Sequence, residues 1–339
     1  MKKQISALFM SFVVLLPVSL AYADVTVSNL VDGVQVSSPF SLQANAFTCG
    51  QQSTAAMGYS FDSRTDTTII HADAVNQLVT APALGAHTLH VKCWGVYGAA
   101  GVANVSLIVT NGPSIPTRAT VVHNIQQLTS WSGNYDPGTP GAAWGYTALV
   151  NTPSLSGQAR QFSMSYLNYG GQLFSTSFGI DTSATHFVYD AQVYISGSAA
   201  GIANLEMDLN QVIANGQTII YGFQCDGYAG AWDYTINSGS PTWYVDTWVN
   251  SGTPCPPPST WSVNTWHHVQ IVASRDAYGN VTYESVWFDG VQSLLNFAFG
   301  KSAFALGWGS TLLTNFQIDG LGPGGSATVY LDNFTVYRW

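Results

Sequence analysis

Short stretches in which apolar and polar residues alternate run along the chain from residue 25 onward. Before residue 111 they include "VTVSNL", "FSLQANAF", "HTLHVKCW" and "NVSLIVT". An alternation of period two is typical of β-strands with one buried face. Gly, Asn and Ser residues separate the stretches, and no helical periodicity is sustained. The pattern predicts a small β-sandwich over residues 24–111.

The alternation is interrupted at "NGPSIPTRAT", where two prolines and a glycine indicate a linker, which we place at residues 112–119. It then resumes in "ATHFVYDAQVYIS", "WHHVQIVASRD" and "ATVYLDNFTVYRW". Residues 120–339 are too many for one more small sandwich and suit a two-sheet jelly roll. The sequence therefore predicts an all-β chain of two domains.

The first 23 residues differ from the rest of the chain. "MKKQISALFMSFVVLLPVSLAYA" begins with two lysines, continues with a short apolar run and ends in Ala21-Tyr22-Ala23. This arrangement predicts a secretory signal peptide at residues 1–23 and a secreted or periplasmic protein. No later segment approaches the ~20 apolar residues that span a bilayer, so we expect no membrane insertion.

Charge narrows the range of partners. The chain has nine basic and eighteen acidic residues, a formal charge of −9, and only 8% charged residues against 13% aromatic ones. Without a basic stripe it lacks the means to neutralise phosphates, which argues against nucleic acid. The same shortage of cations argues against anionic polysaccharides. A neutral partner is expected, and the oligomeric state is not indicated.

Four cysteines are present, and an oxidising compartment favours their pairing. Three connectivities are possible. We predict Cys49–Cys93 and Cys225–Cys255, because each pair falls within one predicted domain. No CxxC or clustered Cys/His spacing supports a zinc site instead.

One segment carries candidate chemistry: "NLEMDLNQ", residues 204–211. On a strand, Glu206 and Asp208 would share one face. A β-bulge after Leu209 would turn Gln211 onto that same face. Retaining glycoside hydrolysis needs two carboxyl groups roughly 5 Å apart, one as nucleophile and one as acid/base. The segment therefore raises the hypothesis of a sugar-cleaving site or of its binding-only counterpart.

Two resemblances accompany these patterns. "DGVQVSSPFSLQANA", "LGAHTLHVKCWGVYGAAG" and "ANVSLIVT" resemble bacterial immunoglobulin-like modules, which implies a spacer or adhesive support. "EMDLNQ", "NTWHHVQIVASRDAYGNVTYESVWFDGV" and "SATVYLDNFTVYRW" resemble the concanavalin A-like lectin/glucanase jelly rolls of family 16 and family 7 glycoside hydrolases. This second resemblance implies Glu206 as nucleophile, Asp208 as the middle aspartate, Gln211 at the acid/base position and His268 near the cleft edge.

An amide at position 211 cannot donate a proton as a carboxylic acid does. General acid–base catalysis contributes about 10²–10⁴-fold, so we predict a cleft that binds a neutral, β-glucan-like polysaccharide without cutting it. Within residues 221–248, which are rich in aromatics, Trp232 and Trp243 are the predicted stacking rings. Gln224 and Asp226 are the predicted hydroxyl partners.

Two other functions stay open. The first is an active retaining hydrolase with Glu206 as nucleophile, whose acid would be Asp208, Glu284 or a loop aspartate at position 226, 233 or 246. The second is a structural or adhesive cell-surface protein. No cofactor is predicted, although the jelly-roll resemblance implies a possible structural calcium near Asp332. No dense loop of oxygen ligands supports that ion.

Overall fold

The protein is all-β in the part that the computed structural model describes, residues 24–295 and 298–339. Over these residues the helices are two 3₁₀ turns, Ile125–Gln127 and Pro258–Thr260. No helix there is long and apolar enough to cross a membrane. The prediction of an all-β chain is confirmed, whereas the predicted signal peptide at residues 1–23 lies outside the described residues.

The strands that precede residue 111 form the first region of the fold. They are β1 (Thr26–Val27), β2 (Val34–Ser37), β3 (Phe40–Asn45), β4 (Thr48–Cys49), β5 (Gln52–Phe61), β6 (Thr68–Ile70), β7 (Ala74–Val79), β8 (Gly85–Gly95) and β9 (Ala100–Thr110). Strands β1, β3 and β7 make one sheet, and β2, β9, β8, β5 and β4 lie side by side in another. Phe40, Leu42, Met57 and Leu89 are buried in the core of this region.

The second region contains the remaining strands. They are β10 (Thr120–Val122), β11 (Ser132–Tyr135), β12 (Ala143–Val150), β13 (Ala159–Leu167), β14 (Gly171–Gly179), β15 (His186–Ile195), β16 (Ile202–Val212), β17 (Thr218–Tyr221), β18 (Phe223–Asp226), β19 (Ala231–Asn237), β20 (Asp246–Pro254), β21 (Trp266–Arg275), β22 (Asn280–Phe288), β23 (Val291–Leu294), β24 (Phe299–Lys301), β25 (Ala303–Phe304), β26 (Leu312–Gly320) and β27 (Gly324–Arg338).

Two sheets of this region face each other. The front sheet has the order β11-β14-β26-β16-β18-β19-β20, and the back sheet has the order β12-β13-β27-β15-β21-β22-β23. The apolar half of each alternating strand fills the space between them. Phe162 from the back sheet lies 4.9 Å from the rings of both Phe174 and Phe316 in the front sheet. This core is distinct from that of the first region.

The two regions also touch through their strands. Strand β23 pairs with β2 at Val291 and Val36, so the back sheet continues into the first region. Next to that pair, the Ser37 N–H donates to the Gly290 carbonyl at 2.7 Å. Gly290 has φ +77°, and a Cβ there would lie 2.4 Å from the Pro39 carbonyl oxygen. This close approach therefore requires glycine. The separate cores support the predicted division at residues 112–119, which stays a prediction.

Both predicted disulfides are confirmed. Cys49–Cys93 joins β4 to β8 within one sheet of the first region. Cys225–Cys255 joins β18 to the segment that follows β20, across a sequence separation of 30 residues. The second bridge therefore fastens the aromatic-rich part of the front sheet.

Candidate functional site

The outer face of the front sheet, which we call the polar face, is built around β16. Its odd-numbered side chains from Leu205 to Leu209 enter the core, so Glu206 and Asp208 project outward. Glu206 lies directly opposite Gln317 on β26 and Gln224 on β18. Because directly opposed residues of antiparallel strands share a face, these side chains form one polar row across the sheet.

A second row contains an aromatic ring. Asp208 lies opposite Asn315, and two strands further on Thr235 lies opposite Trp248. Gly222 lies between Asp208 and Thr235 in this row. A Cβ on Gly222 would lie 2.5 Å from the Thr235 side chain, so this close approach requires glycine. Trp248 is partly exposed. The polar face thus offers an aromatic surface beside amides and carboxylates.

Three carboxylates converge at one end of the first row. The Gln317 Nε2 atom lies 2.9 Å from Glu206 Oε1, 2.9 Å from Asp319 Oδ1 and 3.0 Å from Asp136 Oδ2. Because all three oxygens lie within 3.0 Å of one nitrogen atom, they also lie close to one another. Like charges at this separation cannot all be ionised. At least one of the three carboxyl groups holds its proton more tightly than an isolated acid does.

Burial and mutual repulsion set the pKa values of these acids. Burial raises the pKa of Glu206 well above its usual range, and the charges of Asp319 and Asp208 add to the effect. Burial also raises the pKa of Asp208, partly offset by the Phe223 N–H that it accepts. The pKa of Asp233 rises to about 6 for the same principal reason. The polar face therefore carries protonated or proton-sharing acids near neutral pH.

Several polar atoms of this face have hydrogen-bonding capacity left over. Among the described residues, no partner is found for the Asn210 side-chain amide, for Gln224 Oε1 or for Asp233 Oδ1. The three side chains are only 1%, 4% and 7% exposed. An unpaired buried polar atom costs about 1–3 kcal/mol, so such atoms usually face a ligand or water. No lysine or arginine occupies the rows described above.

The structure contradicts the predicted role of Gln211. The pairing of β16 with β26 is unbroken from Asn204 to Gln211, so there is no β-bulge after Leu209. Gln211 therefore shares the core-facing side of β16 and is 0% exposed. Its amide is fully bonded inside the protein, by donation to the carbonyls of Asp181 and Ala184 and by acceptance from the Tyr221 hydroxyl and Arg275 Nε. The placement of Gln211 beside Glu206 is wrong.

The predicted stacking and hydroxyl-binding residues lie in different environments. Trp232 is 1% exposed and stacks on Phe223 at 5.2 Å in the core, so the prediction of a stacking ring there is wrong. Trp243 is 85% exposed in the loop between β19 and β20. Gln224 lies opposite Glu206 on the polar face, and its role as a hydroxyl partner stays a prediction. Asp226 lies at the end of β18, where its carboxylate accepts the Tyr228 N–H at 2.8 Å.

Two predicted residues belong to the other sheet. His268 lies on β21 of the back sheet, and its Nε2 atom is 2.7 Å from Asp190 Oδ1. Glu284 is exposed on β22 of the same sheet. Because the core separates the two sheets, neither side chain reaches the polar face. The assignment of His268 to the binding site and of Glu284 as an acid partner of Glu206 is wrong.

The carboxylate of Asp332 is occupied by hydrogen bonds within the fold. Its carboxylate accepts hydrogen bonds from side chains and backbone, namely from Ser154 Oγ, Leu155 N, Ser156 N and Oγ, Gln126 Nε2 and Asn333 N. Both oxygens thus face donors, whereas a calcium ion needs surrounding oxygen ligands. These hydrogen bonds give no support to the calcium that the jelly-roll resemblance implies near Asp332. Within the described ranges no group of three His, Cys, Asp or Glu residues is arranged to hold a metal.

Sequence reasoning missed Asp136, Gln317, Asp319 and Trp248. Part of the signal was available, because "TNFQID" alternates apolar residues with Asn315, Gln317 and Asp319. Asp136 offered no such signal. It reaches Gln317 only because β11, β14 and β26 are neighbours in the front sheet.

No family model and no curated protein matches the chain. Among solved structures it is similar to a promiscuous carbohydrate-binding module of the β-sandwich superfamily, with 9% identity, a TM-score of 0.33 and coverage of 91% of this chain and 98% of the other. It is similar to the family 11 carbohydrate-binding module of cellulase Lic26A-Cel5E from Clostridium thermocellum (11%, 0.28, 66% and 95%). It is also similar to alginate lyase Aly36B (14%, 0.34, 67% and 98%). Likenesses of this strength do not decide function.

Proposed function

We propose that the polar face binds a neutral, β-glucan-like polysaccharide. The observation that carries the proposal is the set of buried, unpartnered polar atoms on Asn210, Gln224 and Asp233. Sugar hydroxyls both donate and accept hydrogen bonds, so they can satisfy an amide and a carboxyl in the same site. Each bond formed there also removes the cost of a buried polar atom left unpaired.

Two further features support a neutral sugar. Trp248 lies in the same face, and an aromatic ring can cover the apolar CH face of a pyranose. The acids of the face, together with a formal charge of −9, oppose an anionic chain. An uncharged polysaccharide avoids that repulsion and keeps its hydroxyls available for the amides.

The test is a binding measurement by calorimetry with soluble β-glucans and, for comparison, an anionic polysaccharide. The wild-type protein is expected to bind a neutral glucan and not the anionic chain. Gln224→Leu should lower affinity at least about tenfold, since it removes an unpaired acceptor from the middle of the face. Gln161→Leu is the matched control, because Gln161 lies on the back sheet. No binding across the glucans would overturn the function, and equal loss in both variants would overturn the location.

A second function is favoured by one observation, the convergence of Glu206, Asp136 and Asp319 on Gln317. Retaining glycosidases place two carboxyl groups about 5–5.5 Å apart, one protonated and one ionised. Three acids whose oxygens lie within 3.0 Å of one amide nitrogen bring carboxyl groups together, and the raised pKa of Glu206 favours one protonated member. In this alternative the acid partner of Glu206 is Asp136 or Asp319, and Gln211 has no part in the chemistry.

Reducing-sugar release from the same glucans separates binding from hydrolysis. Activity that disappears in Glu206→Gln and in Asp319→Asn, with binding retained, would establish the hydrolase. Binding without release of reducing ends, at any pH between 4 and 8, would leave recognition as the function. Neither binding nor cleavage would favour a structural or adhesive role.

A further inference from the structure

A small pocket of about 230 Å³ lies at the end of the polar face where β19 and β20 are joined. Its lining includes Asn237, Pro241, Tyr278, Asn280 and Lys301. Asn237 is the last residue of β19 and lies directly opposite Asp246, the first residue of β20. Asp246 in turn acts electrostatically on Glu206. The pocket therefore lies at the end of β19, the strand that also carries Asp233 and Thr235 of the polar face.

One wall of the pocket is the loop that carries Trp243. The Asn237 side chain fixes this loop by donating to the Ala303 carbonyl at 2.8 Å and to the Ser240 carbonyl at 3.2 Å. The same amide accepts the N–H groups of Gly239 and Val245. Four hydrogen bonds on one buried amide thus tie this loop to the end of β19 and to Ala303, although Trp243 itself is exposed.

The opposite wall is the turn between β21 and β22. Asp276 Oδ1 accepts the N–H groups of Tyr278 at 2.8 Å and Asn280 at 2.9 Å. Gly279 has φ +79°, and a Cβ there would lie 2.5 Å from Ile219 Cδ1, so the turn packs tightly against β17. Tyr278 is nevertheless 82% exposed. The hydrogen-bonded turn thus holds an exposed aromatic ring beside the pocket. Because the turn is already ordered, less conformational entropy is lost on binding.

We propose that this pocket binds a sugar residue of a chain that extends beyond the polar face, so that the ligand is a long polymer and not a short oligosaccharide. The inference rests on the proposed function. The rings of Tyr278 and Trp243 can cover apolar sugar faces. The Lys301 ammonium group, an exposed donor of three hydrogen bonds, can bind hydroxyl oxygens.

The experiment compares ligand lengths. Calorimetric affinities are measured for mixed-linkage β-glucan oligosaccharides of increasing length and for the intact polymer, with wild type, Tyr278→Ala and Trp243→Ala. Each variant is expected to bind the shortest bound oligosaccharide as wild type does and to lose about tenfold in affinity for the polymer. Tyr97→Ala is the control, because Tyr97 is an equally exposed ring, 88%, in the first region.

The outcomes separate this inference from the proposed function. Wild-type affinity of both variants at every length overturns the inference alone, and so does an equal loss at every length. Loss of binding at every length in Gln224→Leu, with the length-dependent loss in the two aromatic variants, supports both. Absence of wild-type binding at all lengths overturns both. Unfolding temperatures equal to wild type establish that the variants are folded.

Discussion

Two glutamines of the front sheet, Gln211 and Gln224, are both buried and are used in opposite ways. Gln211 is 0% exposed, and each polar atom of its amide is bonded within the protein. Gln224 is 4% exposed, and its Oε1 atom has no partner among the described residues. The difference teaches that burial of a polar side chain does not mark a binding site. Gln224 is distinguished from Gln211 by an acceptor that the described part of the fold leaves without a partner.

The same contrast separates two aspartates. Although burial acts to raise the pKa of Asp332, hydrogen bonds from Ser156, Ser154 and Leu155 bring it below the usual range. At Asp208, burial raises the pKa to about 8, because the carboxylate accepts only the Phe223 N–H. Hydrogen bonds within the fold stabilise the ionised form of Asp332, whereas burial destabilises the ionised form of Asp208. Matched substitutions of these glutamines and aspartates test the contrast.

The largest expected effect is on stability, from the same substitution at both aspartates. Asp332→Asn should lower the free energy of unfolding by at least about 3 kcal/mol, since an amide N–H₂ would face donors on every side. Asp208→Asn should be neutral or stabilising at pH 7, because it keeps an acceptor for the Phe223 N–H and removes the cost of holding a carboxyl protonated, which follows from its raised pKa of about 8. Urea unfolding measures both. Equal losses in the two variants would contradict the distinction.

The next largest effects concern the two glutamines. Substitution of Gln211 should lower stability, whereas substitution of Gln224 should lower affinity for the glucan. Gln211→Leu should cost about 2–4 kcal/mol of stability, because Arg275 Nε, the Tyr221 hydroxyl and two carbonyls lose their partner. Gln224→Leu should change stability by less than about 1 kcal/mol and should reduce glucan affinity. Thermal unfolding and calorimetry, run on both variants, check this. A stability loss in Gln224→Leu as large as that in Gln211→Leu would refute it.

The smallest effect is a dependence on pH. The folded-state pKa of Asp233 is raised to about 6, so its ionisation destabilises the native state as pH rises from about 4 through 6. Asp233→Asn should therefore gain stability relative to wild type at pH 7, and the gain should vanish below about pH 4.

Asp276 is the control of opposite sign. Burial acts to raise its pKa, but hydrogen bonds from Asn280 and Tyr278 lower it, so its carboxylate stabilises the native state above about pH 4. Asp276→Asn should lose stability at pH 7, and the loss should fade on acidification. Unfolding temperatures measured from pH 3 to 8 give both differences. Two differences of the same sign would contradict the assignment.

The amino-acid pattern was sufficient to predict many of the strands, the all-β class, both disulfides and the outward projection of Glu206 and Asp208. These features follow from the period-two alternation and from the grouping of the cysteines along the chain, which are local properties. The alternation even placed Gln211 on the core side. Only the added assumption of a β-bulge after Leu209 moved it to the wrong face.

The tertiary structure alone decided which strands became neighbours. That choice brought Asp136 to Gln317, a partner 181 residues away in sequence, and sent His268 and Glu284 to the opposite sheet. It also decided which polar atoms were left without partners, since Gln211 and Gln224 are the same residue type on neighbouring strands. Hydrogen-bond satisfaction depends on every group within about 3 Å in space, and a pattern read along the chain does not contain that distance.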